Sequence, residues 1–129
     1  MFKKRFFSYF VIITFIFTVT PFGIANADWS TPEKIQTGTT ASEQNKVVFD
    51  NNGNAMAIWL QSDGLGSSNI FVSKYNGTDW ETPVQLDNNS PQGSNYPDIA
   101  FDANGNARAV WGQYDESYNM NVYTKKYDG

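Results

Sequence analysis

From residue 28 onward, apolar and polar positions alternate in short runs, and clusters of Asn, Asp, Gly and Ser separate those runs at regular intervals. Such a period of two places successive side chains on opposite faces of a strand, and the separating residues are those that favour turns. The runs predict strands at Val47–Asp50, Ala55–Gln61, Asn69–Tyr75 and Trp80–Leu86, then at Asp98–Asp102, Ala107–Gln113 and Asn121–Tyr127. A further strand is expected at Trp29–Ile35, because Trp29-Ser30-Thr31-Pro32 matches Trp80-Glu81-Thr82-Pro83. After residue 27 no segment sustains a helical period, so essentially no helix is expected.

One stretch organises the chain because it occurs twice. Phe49-Asp50-Asn51-Asn52-Gly53-Asn54-Ala55 returns as Phe101-Asp102-Ala103-Asn104-Gly105-Asn106-Ala107, and Trp59 returns as Trp111. The offset is 51 residues at the Trp-x-Thr-Pro strips and 52 from Phe49 to the end, so one residue is inserted in the loop between. Each copy reads as strand, tight turn, strand. Asn52-Gly53-Asn54 and Asn104-Gly105-Asn106 tolerate the positive φ of a tight reversal, and Asp50 and Asp102 are placed to accept hydrogen bonds from the turn amides. A calcium loop is the rival reading of these turns. It demands Gly at the sixth position and Glu at the twelfth, whereas Gly is fourth here and Gln61 and Gln113 stand twelfth. The plain turn is the better account.

Alternation along the second strand puts Ala55, Ala57 and Trp59 on one face and Met56, Ile58 and Leu60 on the other. Both faces are apolar, so both need cover. In the second copy Arg108 and Gly112 replace Met56 and Leu60, which predicts a less buried face there.

Composition narrows the chemistry. The chain contains no Cys and no His, which removes disulfides, thiolate and imidazole catalysis, and zinc-thiolate sites. Residues 1–27 combine Lys3, Lys4 and Arg5, an apolar run from Phe6 to Thr20, and Ala25-Asn26-Ala27 at the end. That order is the pattern of a secretory signal peptide cleaved after Ala27. An uncleaved anchor is the alternative, but the run is shorter than the ~20 residues of a membrane span. Residues 28–129 then carry 13 acidic and 6 basic groups, a formal charge of −7. Such acidity offers no footprint for nucleic acid or for an anionic membrane surface. A secreted or periplasmic location is expected, with no membrane attachment after cleavage.

A unit of about 50 residues with four short strands has the size of one β-propeller blade. The Phe-Asp-x-x-Gly-Asn-Ala strip, the strips at Asn69-Ile70-Phe71 and Asn121-Val122-Tyr123, and the Tyr-Asn/Asp-Gly after each third strand resemble those of a secreted bacterial β-propeller. Ser73, Gly77 and Trp80 resemble a degenerate Asp-box of sialidase-type propellers, with Tyr75 where the Asp belongs. Tyr75-Asn76-Gly77-Thr78-Asp79-Trp80 is similar to the turn of small two-blade lectins that assemble into six-bladed rings. The resemblance implies an all-β fold, two four-stranded antiparallel blades spanning 28–78 and 79–129, forming an incomplete β-propeller. Propellers close with 4 to 8 blades. Self-association is therefore expected, with a trimer favoured, unless the chain is a fragment of a longer propeller that supplies further blades.

In propellers ligands meet loops on one face. Here these are Gln36–Lys46, Ser62–Ser68, Asp87–Pro97 and Tyr114–Met120. Asn95, Tyr96, Tyr114, Asp115 and Tyr118 are the candidate ligand-binding residues, with Glu116 and Asn119 beside them. Aromatic rings next to carboxylates and amides suit glycan recognition, by stacking and by hydrogen bonding. Asp115 and Glu116 are adjacent and make a poor acid–base pair, so no enzymatic activity, cofactor or metal is expected.

Overall fold

The computed structural model describes residues 28–128. The expected signal peptide, residues 1–27, lies outside the described residues. Residues 28–31 belong to a separate unit from Pro32 onward and form no strand.

The described chain is all-β, without helix, and forms two antiparallel sheets. The first has four strands in the order β1 (Ser42–Phe49), β2 (Ala55–Ser62), β3 (Ser68–Tyr75) and β4 (Val84–Gln85). The second has three, β5 (Ser94–Phe101), β6 (Ala107–Tyr114) and β7 (Met120–Tyr127). The second therefore falls one strand short of the expected four. Among the described residues no helix is long and apolar enough to cross a membrane.

The second sheet reproduces the pairing of the first three strands position by position. Lys46 pairs with Ile58 and Asp98 with Val110; Trp59 pairs with Phe71 and Trp111 with Tyr123. Even the irregularities match. Between Glu43 and Lys46, and again between Asn95 and Asp98, the first strand of each sheet carries an extra residue against its partner. Gln44 and Tyr96 sit there with φ of 53° and 56°. A bulge of this kind bends the strand and leaves a backbone group outside the ladder. The amide N–H of Tyr96 is recovered by the side-chain oxygen of Gln44 at 2.9 Å.

These bulges explain the first correction to the sequence reading. The first strands begin at Ser42 and Ser94 rather than at Val47 and Asp98, because the ladder resumes beyond the bulge, with Ser42 opposite Gln61 and Ser94 opposite Gln113. Asn95 and Tyr96 thus lie within a strand, not in a loop. The fourth strands need two more corrections. Trp80–Leu86 shrinks to Val84–Gln85, with only an isolated bridge from Tyr75 to Trp80 before it. Pro83 has no N–H to give to the ladder, which accounts for the break. No residue from 29 to 35 forms a strand, since the described chain holds no preceding third strand for it to join.

The core lies between the sheets. Met56, Ile58, Leu60 and Ile70 of the first pack against Ile99, Ala107, Ala109 and Trp111 of the second. The other face of β2 is buried as well, as its composition requires: Ala55, Ala57 and Trp59 are all closed to solvent. There Gln61 donates from Nε2 to the carbonyl of Thr37 at 3.0 Å and accepts from the Trp59 indole at 3.1 Å. Trp111 and Gln113 repeat the indole bond at 3.2 Å. The outward face of β6 is more open, with Arg108 and Val110 exposed, again as its sequence predicts.

Candidate functional site

The turns are built by acidic side chains that fold back on their own backbone. The Asp50 carboxylate accepts from the amides of Asn52 and Asn54, both at 2.8 Å, and from Asn54 Nδ2 at 2.7 Å. Asp102 does the same with Asn104 and Asn106 at 2.8–3.0 Å. Both oxygens of each carboxylate are engaged by the turn, which is the plain-turn arrangement. Asp115 belongs to the same class. It accepts from the amides of Ser117 and Asn119 at 2.9 Å and, more distantly, from the side-chain amides of Asn119 and Asn121.

Proton affinities follow from these bonds. The Asn54 side chain lowers the pKa of Asp50, the Asn106 side chain that of Asp102, and the Asn119 amide that of Asp115. Asp98 is lowered first by Lys46, whose ammonium lies 2.9 Å away. A carboxylate whose folded pKa is depressed stabilises the fold above its unfolded value, about 3.9, and that contribution is lost as pH falls through the folded value. The melting temperature is therefore expected to be flat from neutral pH to about 5 and to drop below about 4. In Asp102→Asn the acid-side drop should be shallower, which a series of melts between those limits checks. An acid-side slope equal to that of the parent would contradict the role given to Asp102.

The candidate ligand residues gather at one end of the second sheet. Tyr114 closes β6, Met120 opens β7, and the Asp115–Asn119 turn joins them. The start of β5 lies beside this end, because Asn95 pairs with Gly112 and the Tyr114 amide donates to the Gly93 carbonyl at 3.2 Å. Tyr96 and Tyr118 are exposed there, 68% and 73% respectively. Asn95 and Tyr114 are half-buried, and Asp115 is committed to the turn rather than presented to solvent partners. The neighbouring sheet brings its own turn to the same end: Ser67 Oγ donates to the carbonyl of Pro91, and Leu65 stands fully out from that turn.

Tyr118 carries the most informative backbone. Its φ is 62°, in the left-handed region. At the matching place in the first sheet, 52 residues earlier, stands Gly66, with φ of 109°. A side chain in this region costs roughly 1–2 kcal/mol relative to glycine. The first turn uses the residue that suits the backbone; the second holds a tyrosine against it.

Two features were not found by reading the sequence. A cleft of about 260 Å³ opens between the sheets along their outer strands, floored by Met56, Val72, Leu86 and Ala109, with Lys74 and Tyr127 at its edge. The Lys74 ammonium donates to the Tyr127 hydroxyl at 2.7 Å, which raises its pKa above the usual lysine value. Asp87 is the second. Its buried carboxylate accepts from Ser94 Oγ at 2.6 Å, Gln85 Nε2 at 2.7 Å and the Ile70 amide at 3.2 Å, so it ties the two sheets together. Among the described residues no group of three or more acidic side chains is disposed to hold a metal ion. No protein-family model matches the chain, and no curated protein or solved structure matches it.

Proposed function

We propose that the chain is a non-catalytic extracellular module of β-propeller type, its two sheets being blades, that binds a glycan through the exposed end of the second sheet. Tyr96 and Tyr118 supply stacking faces, Asn95 and Tyr114 supply hydrogen-bonding groups, and Asp115 holds the turn that presents Tyr118. The observation that carries the reading is Tyr118 itself. An exposed aromatic ring kept in left-handed backbone, where the sister turn has glycine, is strain concentrated at a displayed side chain, and such strain accompanies function. Tyrosine is also suited to sugars, offering an apolar face and a polar tip.

The test separates stability from binding. Tyr118→Gly relieves the backbone but adds unfolded-state entropy of about 0.5–1 kcal/mol, leaving a net gain of about 0.5–1 kcal/mol. The variant is expected to melt a few degrees higher, by about 4 °C. On a glycan array it should lose binding by about tenfold or more, as should Tyr96→Ala and Tyr118→Ala, one stacking contact being worth about 1.4 kcal/mol. Binding equal to the parent protein in all three variants would remove this end of the sheet from consideration.

A further inference from the structure

The cleft between the outer strands has its cause in the sequence. Toward the Tyr118 end the sheets meet through Ile58, Leu60, Ile70 and Trp111, which are large and buried. Toward the Asp50 and Asp102 turns the second sheet offers Ala107 and Ala109 instead, against Met56, Val72 and Leu86 of the first. Two methyl groups do not fill the width that the bulky contacts set, and a space of about 260 Å³ remains. It opens to solvent at one side, because β4 is only two residues long and β7 is an edge strand. Val84, on the rim, is 58% exposed.

The charges at the mouth indicate the occupant. Residues 28–129 hold 6 basic groups against 13 acidic ones, yet Lys74, Lys125 and Lys126 all line this cleft. Lys74 stands across from Met56 on the neighbouring strand, and Lys125 across from Ala109. Residues paired in this way share a face, so both lysines belong to the sides that enclose the space. The Lys74 ammonium donates to the Tyr127 hydroxyl at 2.7 Å, and the Lys125 ammonium to the Leu86 carbonyl at 3.5 Å. Both acceptors are neutral, and an ammonium has three N–H groups to give. Among the described residues neither lysine is in an ion pair; the ammonium of Lys126 is taken by Asp128. Glu81 is the carboxylate on the lining, and it pairs with neither. The mouth therefore carries an excess of positive charge over an apolar floor.

We propose that this cleft binds a small amphipathic anion, a monocarboxylate whose apolar tail lies between the sheets and whose carboxylate meets Lys74 and Lys125. At about 30 Å³ for a water-sized group, the space of about 260 Å³ takes roughly eight or nine non-hydrogen atoms. A straight tail of about seven carbons fills it and leaves the carboxylate at the mouth. The tail displaces water from Met56, Val72, Leu86 and Ala109, and the carboxylate accepts the N–H groups that the neutral partners leave over. Glu81 disfavours a second negative charge, which restricts the head to a single carboxylate. A sugar fits poorly, because its hydroxyls would face Met56, Val72 and Leu86 without partners. The cleft stands apart from the glycan site: Tyr127 pairs with Ala107, at the opposite end of β6 from Tyr114.

Calorimetric titration of octanoate into the protein purified from its producing cells tests the cleft. Two temperatures, about 15 and about 35 °C, are used because apolar burial makes the heat of binding change with temperature. Octanoate is expected to bind once per chain with a dissociation constant on the order of 0.1 mM, a strength within reach of its roughly ten non-hydrogen atoms. Octylamine, equal in length and opposite in charge, should bind at least about tenfold more weakly. Lys125→Glu changes an exposed position, so folding should match the parent. It should weaken octanoate by about tenfold or more and strengthen octylamine. Ala109→Met puts a side chain into the space and should weaken both ligands; if it disturbs folding, Val84→Phe narrows the mouth from its exposed rim instead. Absence of heat at both temperatures overturns the proposal, as a strand or a second chain lying over the mouth would. So does octanoate binding no tighter than octylamine, or binding unchanged in Lys125→Glu or in the filled cleft.

Discussion

Ile58→Ala is expected to cost about 3–4 kcal/mol of folding stability, the range for truncating a buried aliphatic side chain that leaves a cavity. Ile58 is fully buried at the centre of β2 and faces the second sheet. Its neighbours Leu60 and Ile70 belong to paired strands whose backbone hydrogen bonds resist collapse into the vacated space. For a domain near 100 residues, with a total of roughly 5–15 kcal/mol, such a loss lowers the melting temperature by about 15–25 °C. Val110 stands at the matching place in β6 but is 38% exposed on the open side. Val110→Ala should therefore cost below about 1 kcal/mol. Urea unfolding provides both values, from midpoints at unchanged slope. Equal losses in the two variants would mean that the core does not lie between the sheets.

That contrast between 58 and 110 was partly legible in the sequence. Met56, Ile58 and Leu60 against Arg108, Val110 and Gly112 already mark one face as deeply buried and its twin as less so. The second and third strands were legible as short runs rich in apolar, β-branched and aromatic residues, with an Asn-Gly turn before each second strand whose chemistry is local. Ser42–Lys46 and Ser94–Pro97 were not, because the bulge shifts the period by one residue and the polar run Ser-Glu-Gln-Asn resembles a loop. The expected strand at Trp29–Ile35 failed for a different reason. A strand exists only by pairing, and its pattern cannot supply the partner.

The candidate site divides along similar lines. Tyr96 and Tyr118 could be placed at a sheet end by counting strands, but the left-handed backbone that holds them is a property of turn and bulge geometry. Asp115, a candidate ligand group in the sequence, also carries the sequence signal of a turn residue. Asp50 and Asn54, Asp102 and Asn106, and Asp115 and Asn119 all stand four residues apart, and all three pairs close a turn. Asp87 gave no signal at all. Its partners lie 7 and 17 residues away on different sheets, and the first copy has Gln36 in its place, bonded instead to the carbonyl of Thr40.

Asp87→Ala should be nearly as damaging as the loss of Ile58, although the residue is small and polar. The substitution leaves the Ile70 amide and the Ser94 hydroxyl facing a space without an acceptor, and Ser94 is fully buried. Each stranded donor costs about 1–3 kcal/mol, so about 3 kcal/mol is expected in all. The direction of rescue distinguishes this account from a loss of packing. Ser94→Ala removes one of the stranded donors, so the double variant should be more stable than the sum of the single losses predicts, by about 1–2 kcal/mol. Asp87→Asn retains one acceptor oxygen and should lose less, about 1 kcal/mol. If urea midpoints show Asp87→Ala within about 0.5 kcal/mol of the parent, or the two single losses simply add, then the carboxylate does not hold the sheets together. If instead the losses couple, one buried carboxylate carries a measurable share of the contact between the sheets, beside the Lys74–Tyr127 hydrogen bond and the Lys46–Asp98 ion pair at their edges.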